Sequence, residues 1–177
     1  MTSRAVFLDR DGTLAPDVPY CSRAEDLEVF ADAPEALALL QGNGFKLIVV
    51  TNQSGIARGY LTEETLTEIH CKMARLLSPE GAEIDAIYHC PHHPDDCCLC
   101  RKPGTLLLRQ AANDHDIDLA RSFFVGDSAT DIEAGRAIGC GTVLVTTGPG
   151  HGGGVPVLAD FTADSLIEAA RWIIRDA

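Results

Sequence analysis

The sequence predicts an α/β fold, a three-layer sandwich with a mainly parallel central sheet between two layers of helices. Hydrophobic runs of strand length alternate along the chain with segments of helical periodicity, the pattern of a parallel sheet covered on both faces. The 177 residues, 46% hydrophobic and 23% charged, are enough to close one core and too few for two. No internal repeat and no long linker interrupts them, so one domain over 1–177 is expected.

Five runs read as strands: 5–8, 46–50, 84–89, 123–125 and 142–145. Asp32 and Glu35 form a capping pattern ahead of a helix over 34–41, which Gly42 and Gly44 stop. From Thr62 onward, Leu66, Ile69, Met73, Leu76 and Leu77 follow the three-and-four spacing of a buried helical stripe, with Met73 as core filler. Shorter helices are expected over 105–113 and 131–138. The last helix carries Leu166, Ala170, Ile173 and Ile174 on one face, with Trp172 off that stripe as a partly exposed packing residue. Gly148 to Gly154 reads as a loop, with His151 a solvated member of it.

Fourteen Lys and Arg against 26 Asp and Glu give a net charge of −12, the wrong sign for a surface that binds nucleic acid or anionic lipid. An acidic substrate must therefore be met by a local cluster of cations or by a bound metal. No apolar run approaches the roughly 20 residues needed to cross a bilayer, and the N-terminal MTSRAVFLDRDG lacks the apolar region of a signal peptide. A cytoplasmic location, no membrane partner and a monomer are the expectations. Four of the seven cysteines crowd into eleven residues beside three histidines, which in a reducing compartment reads as metal binding. Cys21, Cys71 and Cys140 read as small packing residues.

Ligand sites of open parallel sheets lie beyond the carboxyl ends of the strands. There the first strand runs into Asp9-Arg10-Asp11-Gly12-Thr13, the second into Thr51-Asn52-Gln53-Ser54-Gly55, and the fourth into Gly126-Asp127-Ser128-Ala129-Thr130-Asp131. Asp, Asn, Gly and Thr also serve as caps and turn formers, but phosphate chemistry gives each position a further use. A carboxylate at a strand end, Asp9, can attack phosphorus and form an acyl phosphate. A second acid two residues on, Asp11, can protonate the departing alkoxide and later deprotonate the attacking water. Carboxylates this close call for a hard dication with oxygen ligands, which points to magnesium, and Asp127 supplies the remote ligand. Asp131 either holds a metal-bound water or caps the following helix.

In this order, DRDGT, VVTNQSG, RKPG and GDSATD resemble the four motifs of the haloacid dehalogenase-like (HAD) phosphohydrolases, over most of the chain. The resemblance implies a Rossmann-like core with Asp9 as nucleophile, Asp11 as acid and base, Thr51 as phosphoryl-binding residue and Lys102 as charge stabiliser. It implies magnesium held by Asp9 and Asp127, with a main-chain contact from Asp11. The short segments between motifs leave no room for a cap domain.

The stretch from His89 to Arg101 offers a C-x-H pair and a C-x-C pair, enough for a tetrahedral zinc. Cys90, His92, Cys98 and Cys100 repeat one spacing and are the chosen ligands, with His93 and Cys97 as substitutes. Four protein ligands leave no open position, so the zinc is expected to be structural. Arg10, Arg58, Arg101 and Lys102 are the candidate anion grips of this acidic chain, although Arg58 alone reads as an ordinary surface arginine. The capless core together with CPHH and CLCRKP looks like the D,D-heptose 1,7-bisphosphate phosphatases of the histidinol-phosphatase group. That resemblance implies removal of the 7-phosphate of a phosphorylated sugar on the way to surface glycans. It implies substrate contacts from Asp17 to Tyr20, from Thr51, Asn52, Gln53 and Ser54, and from Arg101, Lys102 and Ser128, although lysine stands at the Ser128 position in some members. Histidinol phosphate phosphatase shares the core and a similar zinc loop, and is the alternative.

Overall fold

A computed structural model describes residues 2–152 and 158–177 of the chain. Six parallel strands form one sheet: β1 (Arg4–Leu8), β2 (Phe45–Asn52), β3 (Ala86–Cys90), β4 (Phe123–Gly126), β5 (Gly141–Val145) and β6 (Phe161–Ala163), in the spatial order β3-β2-β1-β4-β5-β6. The strand order reverses at β1 and β4, so the loops leaving those neighbours diverge and open a crevice between them. Helices α1 (Ala33–Gly42), α2 (Glu63–Leu77), α3 (Leu106–Asp114), α4 (Ala129–Ala137) and α5 (Leu166–Asp176) complete the fold. Between β1 and β2 lie only loop, a 3-10 turn and α1.

The period-2 alternation of a strand divides the core in two. Val6, Leu8, Leu47, Val49, Val125 and Val143 face one side, under α1, α2 and α5. Ala5, Phe7, Ile48, Val50 and Phe124 face the other, under α3 and α4. Strands sandwiched this way must be apolar on both faces, which is why they read as continuous hydrophobic runs. Met73 lies fully buried in the α2 stripe. Trp172 is half-buried, stacked on Phe161 with ring centroids 5.0 Å apart and edge-on to Phe123.

Four expectations change. β6 was not foreseen: its three residues carry no recognisable periodicity, and its place is set by pairing with β5. Asp32 makes no cap bond to α1, because its Oδ2 instead accepts the Ile167 N–H at 3.0 Å, satisfying a free donor at the start of α5. Cys71 is exposed on the outer face of α2, whereas Cys21 and Cys140 are buried. The expected loop from Gly148 begins with a short 3-10 turn, Pro149–Gly152, while the His151 side chain and residues 153–157 lie outside the described residues.

Because Asp32 ties α1 to α5 across 135 positions of sequence, Asp32→Ala will lower the unfolding free energy by about 1 to 2 kcal/mol in urea denaturation. A residue acting only as a solvent-exposed polar side chain would shift it by less than about 0.5 kcal/mol.

Candidate active site

The crevice beyond β1 and β4 collects acid. Asp9 leaves β1, Asp127 leaves β4, and Asp131 sits in the first turn of α4; all three are buried, and one carboxylate oxygen from each lies within 4.8 Å of the others. Lys102 reaches this group from the loop after β3, with its Nζ 2.7 Å from Asp9 Oδ1, 2.7 Å from Asp131 Oδ1, and donating to the Val50 carbonyl at 2.8 Å. Asn52 fixes the backbone that carries this lysine: its Oδ1 accepts the Lys102 N–H at 3.0 Å, and its amide donates to the Lys102 carbonyl at 3.3 Å.

Burial raises the Asp9 carboxyl well above its ordinary range, and the Asp131 and Asp11 charges add to that against the opposing pull of Lys102. Burial also raises Asp127. Desolvation pushes the Lys102 ammonium down, but the Asp131 and Asp9 carboxylates outweigh it and hold the group above its ordinary value. One ammonium among three carboxylates leaves a formal charge of −2 in a buried oxygen-lined space, a donor set suited to a hard divalent cation.

Glycines let the acids sit so close to the backbone. A Cβ on Gly126 would run into the Asp131 carboxylate, and one on Gly12, at φ +83°, into that of Asp127. Of the two readings of Asp131 the structure shows the cap: Oδ2 accepts from the Ser128 N–H at 3.1 Å and its hydroxyl at 2.6 Å at the start of α4, while Oδ1 faces Lys102. Asp127 Oδ2 accepts the Gly150 N–H at 2.9 Å.

Asp11 stands apart from that cluster. Its carboxylate is held by Arg10, with Nε donating to Oδ1 at 3.0 Å and Nη2 2.9 Å from Oδ2, and by the Gln53 amide at 2.8 Å. As a magnesium ligand its side chain is therefore not in place, because two donors already claim it; the implied main-chain contact involves other atoms. Gln53 also donates to Thr51 Oγ1 at 2.8 Å. An open cavity of about 350 Å³ beside Asp11 is lined by Asp17, Tyr20, Asn52, Gln53 and Ser54. Tyr20, at φ 50°, packs against Tyr60 and lies beneath the Arg58 guanidinium. Arg58 is otherwise an exposed surface residue.

The second cluster is the Cys/His loop. Cys90, His92, Cys98 and Cys100 each place a donor atom within 4.8 Å of the others. Sulfur–sulfur separations run from 2.9 to 3.5 Å, and His92 Nδ1 lies 3.1 Å from Cys100 and 3.5 Å from Cys90. A tetrahedral zinc with bonds of about 2.0 to 2.3 Å spaces its donors by roughly 3.6 to 3.8 Å, so the quartet is a slightly compact version of such a cage. His93 and Cys97 are outside it: His93 caps a 3-10 turn and pairs with Asp95, and Cys97 is an exposed left-handed residue at the end of that turn.

Comparison with known proteins bears directly on this arrangement. A family model described as "HAD-hyrolase-like" matches residues 99–169. The D-glycero-beta-D-manno-heptose-1,7-bisphosphate 7-phosphatases of Yersinia pestis and Pseudomonas putida are each 41% identical to this chain, over 97% of it and over 89% and 99% of their own lengths. The chain belongs to the heptose-1,7-bisphosphate 7-phosphatase family of HAD-like hydrolases. A crystal structure of the D,D-heptose 1,7-bisphosphate phosphatase from B. bronchiseptica, complexed with magnesium and phosphate, superposes with a TM-score of 0.89 at 36% identity, covering 98% of this chain and 99% of that one. The corresponding Burkholderia Thailandensis structure gives a TM-score of 0.73 at 31% identity.

In this heptose-bisphosphatase fold, Asp9, Asp127 and Lys102 converge as the sequence led one to expect. Thr51 is buried at the end of β2, and Ser128 is half-buried at the start of α4. Asn52 and Gln53, expected to touch substrate, line the cavity and bond their amides to Lys102 and Asp11 respectively. Arg10, expected to grip an anion, is buried against Asp11. Arg101 is half-buried, and its Nη1 is closed off from solvent without a hydrogen-bond partner among the described residues. His70 was missed: it is 9% exposed on α2, with Nε2 3.5 Å from Arg10 Nη1, and sits on the helix face otherwise read as apolar stripe.

Burial, with the Arg10 and His89 charges, pushes His70 down to about 3 from 6.5. The folded chain therefore resists a proton that the unfolded chain accepts. Stability is full above pH 6.5 and is lost as pH falls from there toward 3. Between pH 7 and pH 5 the wild type will lose about 1 to 2 kcal/mol more than His70→Gln in urea denaturation. Equal losses would mean that His70 titrates normally.

Proposed function

We propose that the protein is a magnesium-dependent phosphatase that removes the 7-phosphate of D-glycero-D-manno-heptose 1,7-bisphosphate through a phosphoaspartate. The observation that carries this reading is the acidic cluster of Asp9, Asp127 and Asp131 around Lys102, in a chain whose relatives, matched over 89% and 99% of their lengths, are named as phosphatases of that sugar. Asp9 and Asp127 would hold the magnesium with a main-chain contact from Asp11, and Asp131 would order its surroundings while fixing Lys102. When bound, the ion neutralises the acidic pocket and draws the phosphate toward the nucleophile.

Lys102 occupies Asp9 Oδ1 and leaves Oδ2 to attack phosphorus. As the new bond forms, the bond from phosphorus to the sugar oxygen breaks, and Asp11, which must enter this step protonated although Arg10 and Gln53 both donate to its carboxylate, gives its proton to that oxygen. Asp11, now ionised, takes a proton from the water that attacks the phosphoaspartate, releasing phosphate and restoring Asp9. Lys102 and the Thr51 hydroxyl counter the charge spread over the transferring group. The cavity beside Asp11 takes the sugar, with Asp17, Tyr20 and Ser54 at its wall. Burial raises the Asp17 carboxyl, and the Asp11 charge adds to that, which suits a residue that meets hydroxyl groups near an anion.

The Cys90, His92, Cys98 and Cys100 quartet is proposed to hold a structural zinc. Burial pushes the Cys90 thiol up to about 12, and only a cation at the centre relieves the cost of bringing thiolates together there. Residue Arg101 follows Cys100 directly, so the cage would fix the start of the segment that delivers Lys102.

Asp9→Asn will reduce magnesium-dependent hydrolysis of the bisphosphate at least about a thousandfold without changing the fold, by steady-state kinetics and circular dichroism. Activity within tenfold of wild type would remove Asp9 as nucleophile. In a panel of phosphate esters the heptose bisphosphate will show the highest kcat/KM; a higher value for histidinol phosphate would overturn the substrate assignment. Metal analysis will find one zinc per chain, lost in Cys98→Ser together with part of the thermal stability. Full zinc content in that variant would place the metal elsewhere.

A further inference from the structure

Among the described residues Arg10 is the largest with under 2% exposure, yet the proposed reaction gives it no part. Burying a guanidinium is costly, and its donors show where that cost is offset. Nε and Nη2 form a two-pronged fork on the two oxygens of Asp11, at 3.0 and 2.9 Å. Nη2 also donates to Gln53 Oε1 at 3.0 Å, and Nη1 lies 3.5 Å from His70 Nε2. Gln53 closes the ring by donating to Asp11 Oδ2 and Thr51 Oγ1, both at 2.8 Å. His70, kept neutral by burial, presents a lone pair rather than a competing charge to Arg10.

The network draws on three separate parts of the chain: the turn after β1, the turn after β2, and the buried face of α2. All of it converges on one carboxylate whose side chain is itself 22% exposed. A half-exposed aspartate has several staggered rotamers open to it, and only some point toward a leaving oxygen. Fixing both oxygens by planar, mutually bonded donors removes that freedom, which matters because a proton donor works only from within hydrogen-bond reach.

We propose that Arg10 and Gln53 are positioning residues that hold Asp11 in the rotamer from which it exchanges a proton with the departing alcohol, rather than contacts for the phosphate or the sugar. The inference rests on the proposed roles of Asp9 and Asp11. Lysine cannot replace Arg10 here, since a single ammonium makes no planar fork. Methionine at position 53 keeps the length of glutamine and removes both its donors and its acceptor.

The test compares two esters that differ in their need for a proton. The sugar alkoxide must be protonated as it leaves, whereas p-nitrophenolate leaves unaided. Because kcat/KM covers steps up to the first irreversible one, it reports on departure of the alcohol and not on the later hydrolysis. In Arg10→Lys and in Gln53→Met, kcat/KM for the heptose bisphosphate is expected to fall at least tenfold more than kcat/KM for p-nitrophenyl phosphate, with Asp11→Asn showing the same selectivity in larger measure. Equal falls for both esters would overturn the proposal, since a lost phosphate contact or a loosened site affects the two alike; so would a selective fall confined to KM with kcat for the bisphosphate unchanged, because Gln53 lines the cavity proposed to take the sugar and a lost sugar contact weakens binding rather than proton transfer. Gln53→Met leaves the buried cation in place, so it decides the matter if Arg10→Lys does not fold. The underlying reading fails separately: wild type that turns over neither ester, or activity that survives in Asp9→Asn, overturns both.

Discussion

Three buried carboxylates share one ammonium, and much of the site's structure follows from that imbalance. Asp9, Asp127 and Asp131 cannot all be charged in a buried space without compensation, and Lys102 supplies only a third of it. Glycines at 12 and 126 let the acids lie against the backbone, the Asn52 side chain clamps the main chain of Lys102, and the Gly150 and Ser128 N–H groups take up spare carboxylate oxygens. What remains is a site whose formal charge with all three acids ionised, −2, matches the charge of one divalent ion. With a divalent ion in that site, a chain with a net charge of −12 would receive a phosphate ester because the field would be reversed at one point rather than over the surface.

The sheet makes this possible by topology. Asp9 and Asp127 come from strands that are neighbours in space yet separated by more than a hundred residues, and the strand order reverses there. The strand cores on either side are apolar on both faces, so the carboxylates are presented from a stiff platform, with Lys102 brought in by the segment that follows the Cys/His loop. The sheet fixes the acids, while the segment that carries Lys102 follows directly on the Cys/His quartet.

Much of this was legible before any coordinates. Strands buried on both faces announce themselves as unbroken hydrophobic runs, and acids placed directly after them stand out, so Asp9, Asp127 and the order of motifs could be read directly. The Cys/His quartet was legible because its ligands are local, within eleven residues. What escaped depends on contacts between distant positions. The pairing of Asn52 with Lys102 spans 50 residues, that of Arg10 with His70 spans 60, and that of Asp32 with Ile167 spans 135. In each case a polar residue with an obvious local use, as turn former, anion grip or cap, is claimed by a partner that only the tertiary fold brings near. His70 carried a weak signal, a histidine at a stripe position of α2, and β6 carried almost none.

Calorimetric titration of magnesium into the metal-free protein tests the charge imbalance most directly. Wild type should bind one magnesium ion per acidic cluster, and Asp127→Asn, which lowers the residual charge from −2 to −1 while conserving shape, should bind it at least about a hundredfold more weakly. Unchanged affinity in Asp127→Asn, or no binding to the wild type, would contradict the account.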